Sequence, residues 1–141
     1  MAKMERETRL DAAAVRLKAA GLRPTRQRIE LARLLFTGMD RHVTAESLAE
    51  ESARAGVKVS LATVYNTLHQ FQSAGLLRQV VVDASRSYFD TNVGDHQHFF
   101  IENEGTLIDI PGEEISVSGV PPPPPGLAVD RVDVVVRVKR I

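Results

Sequence analysis

A chain of 141 residues suits one domain or two small ones, and its lack of cysteine excludes disulfides, a thiol nucleophile and every thiolate zinc site. The formal net charge of +0 conceals an asymmetry, because residues 1–90 hold 14 Lys+Arg against 10 Asp+Glu and residues 91–141 hold 4 against 8. A balance of +4 followed by one of −4 suggests two functional halves, the first suited to meeting a polyanion.

No apolar run is long enough for a membrane span. The opening Met1–Leu10 is charged and lacks the apolar core of a secretion signal, so a cytoplasmic protein with no membrane partner is expected. Leu10, Ala13, Ala14 and Leu17 recur at helical spacing, and Gly21 marks the end of that helix. Thr25 predicts the cap of a second helix reaching about Thr37, with Ile29, Ala32, Leu35 and Phe36 apolar. Thr44 predicts the cap of a third, through Leu48 to a stop at Gly56. Ser60 caps a fourth, with Leu61, Val64, Leu68 and Phe71 on one stripe and Gly75 beyond its end.

The period then changes. Leu77 to Asp90 is β-rich on both sides of a polar break, Asp83-Ala84-Ser85-Arg86, which predicts a hairpin. Short helices followed by a hairpin describe a winged helix, with the third and fourth helices as the helix-turn-helix and the fourth as the reading helix. Further strands are predicted over His98–Ile101, Thr106–Ile110 and Val132–Val138, where Val132, Val134, Val136 and Val138 alternate with Asp133 and Arg137. Pro121–Pro125 should form a stiff polyproline II spacer of roughly 15 Å. The fold class is therefore α+β, an N-terminal winged-helix DNA-binding domain over residues 1–90 and a small α/β or mostly β domain over 91–141. About 50 residues with three strands bury their own sheet poorly, so a homodimer is expected.

Several segments carry a resemblance. Gly21-Leu-Arg-Pro-Thr-Arg-Gln-Arg28, His42-Val-Thr-Ala-Glu46, Ser60-Leu-Ala-Thr-Val-Tyr65, Gly75-Leu76, Tyr88-Phe-Asp90 and His96-Gln-His98 occur in this order. Together they resemble the ferric uptake regulator (Fur) family, over residues 21 to about 110. The tail, Ile108-Asp-Ile-Pro111 and Arg131-Val-Asp-Val-Val-Val-Arg137 after a Pro-rich link, is similar to the iron response regulator (Irr) branch. The resemblance implies a dimeric transcriptional regulator of iron or haem homeostasis, a repressor acting on an A/T-rich imperfect palindrome.

The helical stripe leaves Thr63, Asn66, Thr67 and Gln70 on other faces of the fourth helix, where short polar side chains can reach base edges. By spacing Tyr65 belongs to the edge of the core stripe; the resemblance instead implies a base contact, through thymine methyls. Arg23 precedes the second helix in a segment that the family lays against a narrow minor groove, whose negative potential suits arginine. Arg26 and Arg28 are candidates for phosphates. Many family members carry a basic residue directly after the tyrosine, whereas this chain has Asn66, which favours adenine over guanine.

His96 and His98 lie two apart on a strand and so share a face, and Asp90 adds a carboxylate. The resemblance implies that His42, Asp90, His96 and His98 bind the regulatory divalent metal, which is iron, manganese or zinc. It also implies haem as a ligand, with His96 and His98 as the axial candidates, and a haem-delivering protein as a further partner. Some expected family parts are missing. Ile101 and Glu104 stand where the main branch has a Cys-x-x-Cys zinc site, and Gln97 stands in the middle of the three-histidine run of Irr. A second metal site from Asp95, Gln97 and Glu113 or Glu114 is expected to be weak or absent. No Gly-rich phosphate loop or Ser/His/acid arrangement occurs, and the histidines lack the neighbours of a metallohydrolase, so no enzyme is expected. The alternatives are a manganese, zinc or peroxide sensor of the same family and a metal- or haem-binding carrier without a DNA role.

Overall fold

The computed structural model describes residues 12–141, so the readings made on Met1–Leu10, including Leu10 in the first helix, lie outside the described residues. The chain forms two compact units that meet between Val93 and Gly94.

The first unit begins with α1 over residues 12–19, which buries Ala13 and Leu17. α2 (Arg26–Leu35), β1 (His42–Val43), α3 (Ala45–Arg54), α4 (Leu61–Ser73), β2 (Arg78–Asp83) and β3 (Arg86–Asp90) follow. The helices start where a hydroxyl takes an otherwise unpaired N–H: Thr25 accepts from Arg28, Thr44 from Ser47 and Ser60 from Thr63. Thr44 and Ser47 bond reciprocally, which satisfies two otherwise unpaired donors at the start of α3. α4 ends in a left-handed glycine turn. Gly75 has φ 82°, its N–H reaches Gln72 O at 3.1 Å, and Leu76 N–H reaches Phe71 O at 2.9 Å.

Two expectations for these helices need correction. α2 stops at Leu35 rather than about Thr37, because Phe36 leaves helical geometry at φ −100°, ψ 72°. Its ring meets Phe71 with centroids 6.2 Å apart and lies under the Arg16 guanidinium at 4.5 Å. On α4 the apolar stripe is shorter than predicted. Val64, Leu68 and Phe71 are fully buried, but Leu61, one residue after the cap, is 49% exposed. Thr67 is buried instead, and its hydroxyl donates to Thr63 O at 2.8 Å, which removes the cost of hiding it. Leu17, Leu31, Leu35, Leu48, Val64, Leu68, Phe71 and Phe89 form the centre of the core. Truncating any of these leucines to alanine should cost about 2–5 kcal/mol.

β1, β3 and β2 form an antiparallel sheet in that order. The β2–β3 turn is tight because Asp83 accepts from Ser85 N–H and from the Arg86 guanidinium, which also holds the carboxylate well below its usual pKa. β3 is the middle strand, so Asp90 sits opposite His42 on one side and Arg78 on the other.

The second unit is a three-stranded sheet of β4 (His96–Ile101), β5 (Thr106–Pro111) and β6 (Val135–Val138), with a 3₁₀ turn at Gly112–Glu114. β4 is central, antiparallel to β5 and parallel to β6. The last strand begins at Val135, not Val132, because the Gln97 side chain replaces the ladder there. Its Oε1 accepts from Val134 N–H at 2.6 Å, and its Nε2 donates to Val132 O at 3.3 Å. Gly112 is required by close approach, since a Cβ there would lie 2.5 Å from Asp95 O.

Candidate metal centre and nucleic-acid interface

Each unit carries part of the predicted donor set. In the first, the β1–β3 register sets His42 against Asp90, and His42 Nε2 lies 3.1 Å from Asp90 Oδ2. Asp90 is fully buried, and its Oδ1 accepts from Asn92 N–H at 2.8 Å. The chain on both sides is clamped. Arg41 N–H reaches Thr91 Oγ1 at 2.9 Å, and Thr91 N–H reaches Arg41 O at 3.1 Å. The Arg41 guanidinium grips Glu51 at 2.6 and 3.0 Å and holds that carboxyl below its usual pKa.

In the second unit, strand alternation puts His96 and His98 on one face, with ring centroids 4.6 Å apart. His98 pairs in register with Asp109. His96 Nε2 and His98 Nε2 both approach Asp109 Oδ1, at 3.4 and 3.3 Å. His96 Nδ1 lies 2.7 Å from Gly94 O and donates to it, which fixes the ring with Nε2 toward Asp109. Two imidazoles and a carboxylate facing one point repel unless a proton or a cation lies between them. Donors sharing one first-row divalent ion at about 2.0–2.1 Å stand roughly 3–3.4 Å apart, and these pairs have that spacing. The nitrogen/oxygen set fits zinc, iron or manganese by ligand type.

Asp109 lies outside the donor set expected from the sequence. Its sequence signal is a lone carboxylate inside the apolar run Leu107-Ile-Asp-Ile110, opposite a histidine once β4 and β5 form a hairpin. The expected weak second site loses a member here, because Gln97 is spent on the backbone of Val132 and Val134.

The face of α4 away from the core carries Tyr65, 51% exposed, and Asn66, also exposed. Thr63 is half-buried, and its hydroxyl accepts from Ser60 at 2.9 Å within the helix cap. Tyr65 therefore points outward and is not part of the core stripe. It rests edge-on against His69 at 4.4 Å, and His69 meets Phe89 at 5.3 Å. Arg23 and Arg26 are exposed, and their guanidinium groups make no hydrogen bond among the described residues. Arg28 differs. It donates to Gln70 Oε1 at 3.0 and 3.2 Å and to Arg23 O at 2.9 Å, which ties α2 to α4. Arg23, Arg28, Thr63, Asn66, Thr67 and Gln70 line one polar groove.

The profile of the ferric uptake regulator family matches residues 19–119. The chain belongs to the Fur family. It is 34% identical over 100 residues to the ferric uptake regulation protein of Pseudomonas aeruginosa, covering 70% of this chain and 75% of that protein. It is 31% identical over 103 residues to the peroxide-responsive repressor PerR of Staphylococcus aureus, covering 73% and 69%. Among solved structures, the P. aeruginosa regulator with manganese matches at a TM-score of 0.67 and 28% identity, over 91% of this chain and 97% of that one. The Vibrio cholerae regulator matches in fold at a TM-score of 0.69 and 24% identity, over 90% and 98%. The fold is thus that of the Fur family, a winged-helix DNA-binding domain followed by a dimerisation domain. Members are metal-responsive, DNA-binding transcriptional regulators and not enzymes. Among the described residues no helix is long and apolar enough to cross a membrane.

Proposed function

We propose that this chain is a homodimeric, cytoplasmic repressor of iron homeostasis in the Irr branch of the family, and that a divalent metal held by His42, Asp90, His96 and His98, with Asp109, sets its operator affinity. The observation that carries this reading is the convergence of two buried imidazole Nε2 atoms on Asp109 at 3.3–3.4 Å, with one ring locked through Nδ1. Residues 1–90 serve as the DNA-binding domain and 91–141 as the dimerisation and sensing domain. Only residues 91–95 separate Asp90 from His96, so an ion that takes donors from both restricts the angle between the two domains. The bound ion supplies a positive charge that offsets the two carboxylates. Asn92 N–H orients Asp90, and Gly94 O orients His96. If the favoured angle fits the operator, metal and DNA strengthen each other's binding by the same factor.

On the DNA side, Tyr65 and Asn66 reach base edges, Thr63 ends its helix cap beside them, and Arg23 enters the minor groove. Arg26 neutralises a phosphate, and Arg28 holds Gln70 and the Arg23 carbonyl in place. A second reading, haem on His96 or His98, is favoured by the Irr-like tail. It requires one of these rings, 4% and 1% exposed, to turn outward. The similarity to PerR keeps a peroxide sensor as the alternative within the family.

The test is fluorescence anisotropy on an operator selected from a random pool. Metal-stripped protein is titrated anaerobically, then again with ferrous iron, manganese or haem. Metal-dependent tightening that is lost in His98→Ala supports the divalent reading. Tight binding of the stripped protein, released by haem alone, replaces it with the haem reading. Absence of salt-sensitive binding on any DNA leaves the carrier.

A further inference from the structure

The crossover from β5 to β6 has no role in the site above. Every residue from 116 to 133 is exposed, and none lies in a helix or strand. Between residues 116 and 130 the backbone makes a single hydrogen bond among the described residues, Leu127 N–H to Pro124 O at 3.1 Å. Yet the segment is not polar. Val117, Val120, Leu127 and Val129 are 48–64% exposed. Pro121–Pro125 sit between them as a stiff rod of about 15 Å, so the arm cannot crumple to cover its own apolar side chains. Pro111 pairs with His96 and Val135 with His98, so the arm leaves and rejoins the sheet at one end. Its 23 residues, 112–134, doubled back at the middle, reach up to roughly 35 Å at about 3.1 Å per residue. A six-residue strand measures only about 20 Å.

The same sheet has an apolar face that is covered at Ile101 and Ile110, both buried, and open at Phe99 and Ile108. Register sets Phe99 beside Ile108 and Val136, and Ile101 beside Val138, all on the side opposite His96, His98 and Asp109. Phe99 is 37% and Ile108 47% exposed. They border a hollow of about 250 Å³ that Lys139 and Arg140 rim. Arg140 is paired with Glu104, whereas Lys139 has no carboxylate partner among the described residues. The arm carries a matching charge, Asp130, directly after Val129, also without a partner among the described residues. Within one chain Phe99 and Ile108 on the face, and Val117, Val120, Leu127 and Val129 on the arm, stay exposed.

We infer that in the homodimer the arm of each copy lies across this face of its partner, with Leu127 and Val129 filling the hollow and Asp130 facing Lys139. A two-fold axis makes the exchange reciprocal and covers both arms and both faces at once. The proline run shortens the list of conformations the free arm must give up, so docking loses less entropy than a flexible loop would. This inference rests on the chain being a homodimer and extends that reading to a named contact.

The chain has no cysteine, so introduced thiols report cleanly. Val129→Cys and Ile108→Cys are made as separate variants, one tagged, then mixed, allowed to exchange subunits, and oxidised. A disulfide between the two variants is expected. In the Val129→Cys/Ile108→Cys double variant, a cross-linked dimer is expected and not an internally bridged 15.5 kDa chain. An internal bridge overturns the exchange. So does Ile108→Cys cross-linking to itself, which would place the two faces together, or the absence of any bridge with thiols at 120, 127 and 129 in turn. Leu127→Asp, with unchanged circular dichroism, should raise the dimer dissociation constant at least tenfold; an unchanged constant refutes the contact. Sedimentation equilibrium of the unaltered protein separates the two levels. A dimer without arm bridges removes only this contact, and a monomer at tens of micromolar removes the dimer reading as well.

Discussion

Replacing Tyr65 by alanine probes whether α4 reads bases. The ring is 51% exposed, so of the roughly 200 Å² such a side chain presents, about 100 Å² is already covered in the free protein and about 100 Å² is available to DNA. At about 25 cal/mol per Å², covering the free half on DNA corresponds to about 2.5 kcal/mol, or roughly sixty-fold in affinity. The covered half, against His69 and its neighbours, sets an upper bound of similar size on the stability loss, offset by about 0.5 kcal/mol because alanine favours a helix more than tyrosine does. Tyr65→Ala should therefore fold, melt slightly earlier, and bind a selected operator some tens of times more weakly. Tyr65→Phe keeps the ring and its edge contact, and should stay within about threefold if the contact is apolar. Anisotropy on the operator and on a scrambled duplex, at two salt concentrations, measures both terms. Base reading predicts a loss confined to the operator with an unchanged salt slope. An equal loss on scrambled DNA, or none on either, refutes the assignment of Tyr65 to base contact.

Asp109→Asn should lower divalent-metal affinity by about 10–100-fold, measured by competition with a chromophoric chelator; unchanged affinity removes Asp109 from the donor set. Gly112→Ala forces a Cβ to within 2.5 Å of the Asp95 carbonyl, a backbone atom that cannot swing away. The cost should be about 1–3 kcal/mol in urea unfolding, and wild-type stability would show that the two segments are less tightly apposed. Glu51→Gln breaks the half-exposed pair with Arg41 and should cost about 1 kcal/mol at pH 7. Because the folded protein lowers the Glu51 pKa, that stabilisation is complete above the ordinary value of 4.5 and disappears as pH falls through the lower folded value. Wild type and variant should converge as pH falls below that lowered value, and a gap that persists in acid would trace the loss to something other than the ion pair.

Short-range chemistry made much of this protein legible along the chain. Thr25, Thr44 and Ser60 cap helices through N–H groups three residues on, and Gly75 ends α4 within a single turn. The alternation of a strand sets His96 and His98 on one face whatever else surrounds them. What the tertiary structure alone decided depends on partners far away in sequence. Arg28 is tied to Gln70, 42 residues away. Gln97 is diverted to backbone 35 and 37 residues on, which delays β6 to Val135. Asp109 comes beside His96 and His98 only when β5 folds back on β4. Burial on α4 follows the edge of the core rather than the period, so Leu61 is exposed and Thr67 hidden. A period specifies which residues share a face, but only the neighbouring elements determine how far along that face the cover extends.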